Sequence, residues 1–479
     1  MSEDVGIEMQ GREKNRLSSS GWGWLRTISR WTGVDRAIAL SVLGRGWALI
    51  ASPVSLLLIG TCLSPREQGY YYTFSSVLGL SVFFDLAFGG TIGLFASHER
   101  AQLSWAGDGS LAGDARPLGR MASLLTHGAR WYGAVALLIV LVIVPVGLLF
   151  FGRGVGPMDQ HLSWRWPWLW VGVATALSTL LTPVWAIHQA IGYVRETAEV
   201  RLTQQVGGSL ILWLALYMGW RLYATPLVTT FAVVYGAWWL AHRRRPLLSG
   251  LIRNGSGQHS VGWRTEIWPL QWRIALSWFG VWFVFQTFAP MLLFRLQGPV
   301  PAGQMGMSLT VSQALSPLGA AWIYTKMPTM GTLAARREYQ ALDRLFRRAL
   351  VQSTVLTVAG GASIVAAVWL LGAIRHPFAD RLLPVGPVAC LVGAAIGNHV
   401  VMALASYLRS HKREPLVGLS VAAGAATAIA MLLLARYGTA AGMSIAYLVV
   451  AGGLNVVATY VVFSRRRREW HGEHAEAGC

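Results

Sequence analysis

The chain has 479 residues, 54% of them hydrophobic and only 13% charged, too few charges to coat a water-soluble surface, where about a quarter of residues carry one. Lipid must solvate the rest. The net charge of +19 lies in short runs between long apolar stretches, the pattern of topology signals beside anionic lipid and not of a nucleic-acid face, so nucleic acid is excluded as a partner.

Residues 1–36 mix charge, Ser and Gly without an apolar run ending in a small-residue cleavage site, so no secretory signal peptide is expected and the stretch reads as a cytoplasmic segment. Apolar segments of the roughly 20 residues a helix needs to cross a bilayer follow at 37–60, 70–97, 131–151, 167–191, 200–219, 222–241, 269–295, 302–325, 349–373, 384–408, 415–435 and 439–463. The fifth starts on the polar run Thr203, Gln204 and Gln205, and the sixth follows a short break at Trp220 and Arg221. Basic residues in the connections alternate as the positive-inside rule requires, 30 on the side of both termini against 8 on the other. The first set runs from Arg12 to the cluster Arg465–Arg468; the second is Arg66, Arg153, Arg165, Arg221, Arg295, Arg375, Arg381 and Arg436. Both termini are therefore expected in the cytoplasm. Trp164, Trp166, Trp168 and Trp170 at the outer end of the fourth span, and Trp263, Trp268 and Trp272 before the seventh, read as interfacial anchors, with sugar stacking as a second use of the outer group.

No connection is long enough for a soluble domain of 50 residues or more, and no GxxxxGK[ST] loop is present. ATP hydrolysis is not expected. Cys62, Cys390 and Cys479 form no metal-ligand spacing, so neither a metal nor a cofactor is implied.

At an offset of 237 the second half matches the first without gaps: Pro53 with Pro290, Leu56 with Leu293, Gly69 with Gly306, Thr73 with Thr310, Ser75 with Ser312, Leu78 with Leu315, and Arg36 with Arg273. Helices one and two thus fall on helices seven and eight in the same orientation. The expected fold is an all-α membrane protein of about 12 helices in two six-helix lobes related by a pseudo-two-fold axis along the membrane normal. An alternating-access transporter with such an axis places its cargo between the lobes. Its parts are a cytoplasmic segment 1–36, an N-lobe 37–245, a cytoplasmic linker 246–268, a C-lobe 269–464 and a tail 465–479.

The stretch LSPREQGYYYTFSSVLGLSVFFDLAFGGTIGLFASHE, Leu63 to Glu99, resembles the second-helix region of bacterial polysaccharide and lipopolysaccharide biosynthesis proteins of the multidrug/oligosaccharidyl-lipid/polysaccharide (MOP) exporter superfamily. Elsewhere only the two-lobe layout agrees. The resemblance implies a flippase that moves a lipid-linked oligosaccharide across the bacterial inner membrane, through a cationic cavity that takes the diphosphate-sugar headgroup. It implies as partners the membrane lipids, the glycan lipid and polysaccharide-assembly proteins.

Ionisable groups inside spans are costly and therefore candidates. Arg45 lies about 12 Å from the inner end of helix one and Asp85 about 18 Å from that of helix two, by helical rise, so adjacent helices can bring them together. Arg45 then either contacts a diphosphate or snorkels to the headgroups; Asp85 is its partner or a cation-coupling carboxylate. Arg36 and Arg273 mark the inner mouth of a central cleft or serve topology alone. Gln286, Gln313, Asn398, Asn455, His188 and His399 are midplane groups for a sugar or for helix-to-helix bonding. Pro53, Pro183 and Pro290 permit kinks.

Three rival functions remain. A cation-coupled exporter of small molecules would need a carboxylate such as Asp85. A polysaccharide polymerase or glycosyltransferase would need larger, more acidic outer loops than these, which carry Glu67, Asp159 and Asp380. A scaffold without transport is the third. The chain is expected not to be an enzyme.

Overall fold

Helix α1 (Arg36–Cys62) runs unbroken through Pro53. The second span follows after a two-residue corner. There Ser64 caps α2 (Pro65–Leu78): the Glu67 N–H donates to Ser64 Oγ, the Ser64 N–H donates to the Glu67 carboxylate, and Pro65 occupies the first turn. This capping box satisfies two of the orphan amides of a helix start. A computed structural model describes residues 36–86, 88–107, 110–152, 162–254, 260–269, 271–272, 288–411, 415–437 and 440–472.

The second span continues as α3 (Val82–Asp85) and α4 (Phe88–Arg100), bent by 43° at the break between them. Leu86 in the break has a left-handed φ of 51°, which costs a residue with a Cβ of order 1 kcal/mol or more. A hairpin of β1 (Leu103–Trp105) and β2 (Leu111–Gly113) follows. Helices α5 (Ala115–Leu138) and α6 (Val144–Gly152), joined by a π-helical turn, form span three. Helices α7 (Arg165–Leu180) and α8 (Thr182–Ala190) form span four, with Pro183 in the first turn after their junction. Spans five and six are α9 (Val194–Tyr217) and α10 (Ala224–Arg243).

Helix α11 (Arg245–Asn254) follows in the connection, and the second half begins with α12 (Phe288–Gln297), α13 (Pro299–Gln313), α14 (Leu315–Tyr324) and α15 (Met327–Ala335) among the described residues. It ends with α16 (Tyr339–Ala373), α17 (Val385–Ser410), α18 (Val417–Tyr437), α19 (Ala440–Tyr447) and α20 (Asn455–Gly472). Among the described residues eight stretches are long and apolar enough to cross a bilayer, or nine with the bent second span. Of the other three expected spans, α9 carries Arg195, Glu196, Glu199 and Arg201 in its first turns, α13 and α14 are interrupted at Ala314, and the seventh lies largely outside the described residues.

Burial divides the protein into three apolar cores. One joins both halves at the Arg-poor end and includes Tyr70, Phe74, Phe151, Trp164, Trp168, Phe294 and Leu382. At the Arg-rich end each half has its own: Phe88, Met121, Tyr132 and Ile187 in the first, Ile323, Phe346, Tyr407 and Phe463 in the second. The stretch expected as a linker at 246–268 is not a free connection where it is described. Leu247, Leu251, Val261 and Ile267 are buried in the first half's own core, because α11 is amphipathic and lays its apolar face on α5.

Candidate functional site

The helices matched by the 237-residue offset meet each other. Helices α2 and α13 cross so closely that a Cβ on Gly69 would overlap the Pro299 carbonyl, one on Gly303 would lie 2.7 Å from the Gly69 nitrogen, and one on Gly306 would lie 2.5 Å from Tyr72 Cβ. Only glycine permits this backbone contact. Gln68 pins the crossing: its buried Nε2 donates to the Gly303 carbonyl at 3.0 Å and to the Arg381 carbonyl at 2.9 Å. Tyr70 stacks on Trp164 and meets Phe294 edge-on, and Phe151 packs on Phe294 and Trp168. Such aromatic pairs contribute about 0.5–1.5 kcal/mol each beyond area burial. At the rim Arg221 donates to the Glu67 carboxylate at 3.2 Å. The Arg-poor end is thus shut by residues of both halves, many of them from the stretch Leu63–Glu99. Trp164 and Trp168 belong to this closure, which corrects their reading as interfacial anchors; Trp166 and Trp170 remain exposed.

Below the crossing lies a cleft of about 290 Å³ between α1, α2, α9 and α13, lined by Trp47, Ala48, Ala51, Ser52, Ser55, Leu56, Ile59, Tyr71, Tyr72, Gln205, Ser209 and Thr310. The indole N–H of Trp47 donates to Ser209 Oγ at 3.3 Å and that of Trp213 to Ser55 Oγ at 2.9 Å. None of the lining residues is charged. The cationic cavity implied by the resemblance is not what these residues build.

Arg45 is exposed on α1. Its spacing from Ala48, Ser52, Ser55 and Ile59, three or four residues per step, puts it on the face that lines the cleft, one turn toward the Arg-rich end. The Arg45–Asp85 pair expected from depth is not formed. The Asp85 carboxylate instead accepts a hydrogen bond from the Tyr132 hydroxyl of α5, which also meets the Gly89 backbone. Asp85 ends a half-helix at the break, where the carbonyl end of the dipole disfavours a negative charge. Depth along two helices does not fix which faces of them meet; that is the physical reason for the miss.

Gln271, fully buried, spans the same break: its Nε2 donates to the Leu86 carbonyl and its Oε1 accepts from Thr91 Oγ1 at 2.5 Å. Arg120 binds Glu99 at 2.6 Å and Glu266 at 2.7 Å. That guanidinium, with the Gly262 N–H, holds the Glu266 carboxyl below the usual carboxylate range. The start of span seven is therefore fixed to the first half, while α12 at its far end belongs to the shared core.

Of the other candidates, Asn398 donates to the Tyr447 hydroxyl at 3.1 Å and His399 pairs with Ser353 at 2.9 Å, so both bond between helices of the second half. His399 Nδ1 is buried beside Gly319, where a Cβ would meet it. Gln313 ends α13, half-buried. Arg36 opens α1, and its side chain, like Arg273 and Gln286, lies outside the described residues. Gln68, Tyr72, Tyr132, Gln205 and Gln271 were not among the expected site residues. Gln68 had a signal, a neutral polar side chain inside the family-like stretch; the others needed the helix packing.

No protein-family profile matches the sequence, and no curated protein does. Solved structures do. The eukaryotic MATE transporter AtDTX14 aligns over 91% of this chain and 97% of its own, with a TM-score of 0.57 at 15% identity. An inward-facing multidrug resistance MATE family transporter of the MOP superfamily aligns over 87% and 98%, with a TM-score of 0.54 at 11% identity. The chain shares the fold of these transporters. The Vibrio cholerae MATE transporter VcmN aligns over 91% and 98% with a TM-score of 0.50 at 13% identity, so the likeness extends over nearly the whole of each chain.

Proposed function

We propose that the protein is an alternating-access transporter of the bacterial cytoplasmic membrane, with both termini in the cytoplasm, that carries a lipid-linked oligosaccharide outward. One observation carries the reading. Among the described residues both halves share an apolar core at the Arg-poor end, above a cleft, while at the Arg-rich end the cores are separate and the start of span seven alone reaches across, an arrangement open toward the side where cargo is made. The family-like stretch supports the cargo, since Leu63, Gln68, Gly69 and Tyr70 from it build the closure. The proposed partners are membrane lipids, the glycan lipid and the proteins that assemble the surface polysaccharide; no catalytic step is proposed.

A cation-coupled small-molecule exporter is the second reading. Asp85 at the broken helix favours it, as do the multidrug names of the solved neighbours, but the cleft offers an organic cation no carboxylate. Deletion of the gene tests the choice: lipid-linked oligosaccharide is expected to accumulate on the inner leaflet while a surface polysaccharide disappears. Normal surface glycans together with increased sensitivity to cationic dyes would reverse the ranking.

A further inference from the structure

We infer that the cleft seats one uncharged sugar ring of the cargo and that the cargo's diphosphate is held outside it, at Arg45. The inference rests on the glycan-lipid reading and assigns that cargo an orientation.

The volume comes first. About 290 Å³ is at the lower limit of ligand clefts, which run from roughly 300 Å³; it takes a ring-sized group and not a whole oligosaccharide. The lining chemistry comes second. A sugar ring has C–H faces and a rim of hydroxyls, so its complement is an aromatic face flanked by neutral donors and acceptors. Trp47 and Tyr72 supply faces, and Ser209, Ser55, Gln205 and Thr310 supply the neutral groups. A diphosphate buried here would lack any counter-charge, which is prohibitively costly, and an organic cation would lack a carboxylate.

The third observation points to a ligand directly. The Tyr72 hydroxyl is buried, with the residue only 9% exposed, and has no hydrogen-bond partner of good geometry. It faces Thr310, whose Oγ1 gives its own proton to the Gly306 carbonyl at 2.8 Å and so can accept from the phenol but not donate to it, which leaves the phenol oxygen open to a ligand O–H. A ligand hydroxyl that donates to this buried oxygen adds a hydrogen bond of about 0.5–1.5 kcal/mol. Ser55 Oγ accepts the Trp213 N–H and keeps its own proton to donate. Gly44 makes room for the Gln205 amide at the cleft: a Cβ there would come to 3.0 Å from Gln205 Oε1.

Arg45 completes the polarity. It lies on the cleft-lining face of α1, one turn beyond Ala48, and its side chain leans toward the helix N-terminus as helical geometry requires. A guanidinium at that place suits a diphosphate at the mouth, with the lipid chain left in the bilayer.

Binding to the full-length protein in nanodiscs tests this with two probes, polyprenyl diphosphate and polyprenyl diphosphate glucose. The wild type is expected to prefer the glucose-bearing lipid by about tenfold, the equivalent of one added hydrogen bond. Tyr72→Phe and Trp47→Phe are expected to erase that preference without changing affinity for the bare lipid. Arg45→Gln is expected to weaken both lipids alike. Thermal midpoints equal to the wild type certify that the variants fold. If the wild type binds both lipids equally, or Tyr72→Phe keeps the preference, the sugar seat is overturned while the flippase reading stands on its deletion phenotype. If neither lipid binds, both fall together.

Discussion

The two ends of the molecule are built differently. At the Arg-poor end α2 and α13 touch backbone to backbone, Gln68 bonds across the crossing, and Tyr70, Phe151 and Phe294 interdigitate from both halves. At the Arg-rich end the described apolar cores are separate: Arg120 with Glu99 and Glu266 ties the approach to span seven onto the first half, and Arg467 with Asp343 and Tyr407 closes the second. An end held together by small-residue contact and one side-chain amide can part without stranding a charge. Ion-paired ends, by contrast, keep each lobe rigid while it moves. The difference is what a rocking pair of lobes requires.

The largest effect expected from breaking the comparison is at Gly69. In Gly69→Val the new side chain overlaps the Pro299 backbone, and overpacking at the upper end of the ~1–3 kcal/mol range displaces a two-state equilibrium by about 100-fold. Transport is expected to cease while the protein still inserts, and a cysteine placed at Ser52 is expected to react with thiol reagents from the Arg-poor side. Wild-type transport by this variant would refute closure at the crossing.

Next is Asp85→Asn, expected to reduce transport by up to about tenfold, because the hydrogen bond from Tyr132 that it disturbs contributes about 0.5–1.5 kcal/mol. Tyr132→Phe should reproduce part of the loss if the two act together. Additive losses in the double variant would show that they do not. Smaller again is Gln68→Leu. It removes the two side-chain hydrogen bonds to the Gly303 and Arg381 carbonyls, about 0.5–1.5 kcal/mol each, and is expected to raise labelling at Ser52 from the Arg-poor side several-fold, while sparing insertion.

The smallest effect concerns Glu266. Its carboxyl is lowered from the ordinary value of 4.5, so the stabilisation it provides is fully present above pH 4.5 and is lost as pH falls through the depressed value. Because the side chain is 37% exposed, solvent screens most of that contribution. A slight drop in thermal midpoint below pH 4.5 is expected in the wild type, and a flatter profile in Glu266→Gln. Identical profiles would exclude the Arg120–Glu266 contact as a stabilising one.

The sequence carried the architecture further than the site. Apolar length and arginine alternation depend only on local composition, so the order of the helices was readable, and the offset of 237 identified α2 and α13 as equivalent before they were seen to touch. What it could not supply was the rotation of each helix about its axis. Arg45 and Asp85 have matching depths, yet Asp85 turns to Tyr132, and the seemingly interfacial Trp164 and Trp168 turn inward to the shared core. Asn398 and His399 went to helix-to-helix bonds, the commoner use of such groups. The cleft was hidden for the same reason: Trp47, Tyr72, Gln205 and Ser209 come from three helices, and nothing in their local sequence brings them together.

Distances between spin labels test the central claim most directly. In a background lacking Cys62, Cys390 and Cys479, one label pair would span the Arg-poor end at Thr61 and Ala379, and another the Arg-rich end at His98 and Arg337. On addition of polyprenyl diphosphate glucose the first distance is expected to lengthen in a fraction of molecules as the second shortens. Distances that stay fixed, or that change in the same direction at both ends, would contradict alternating access.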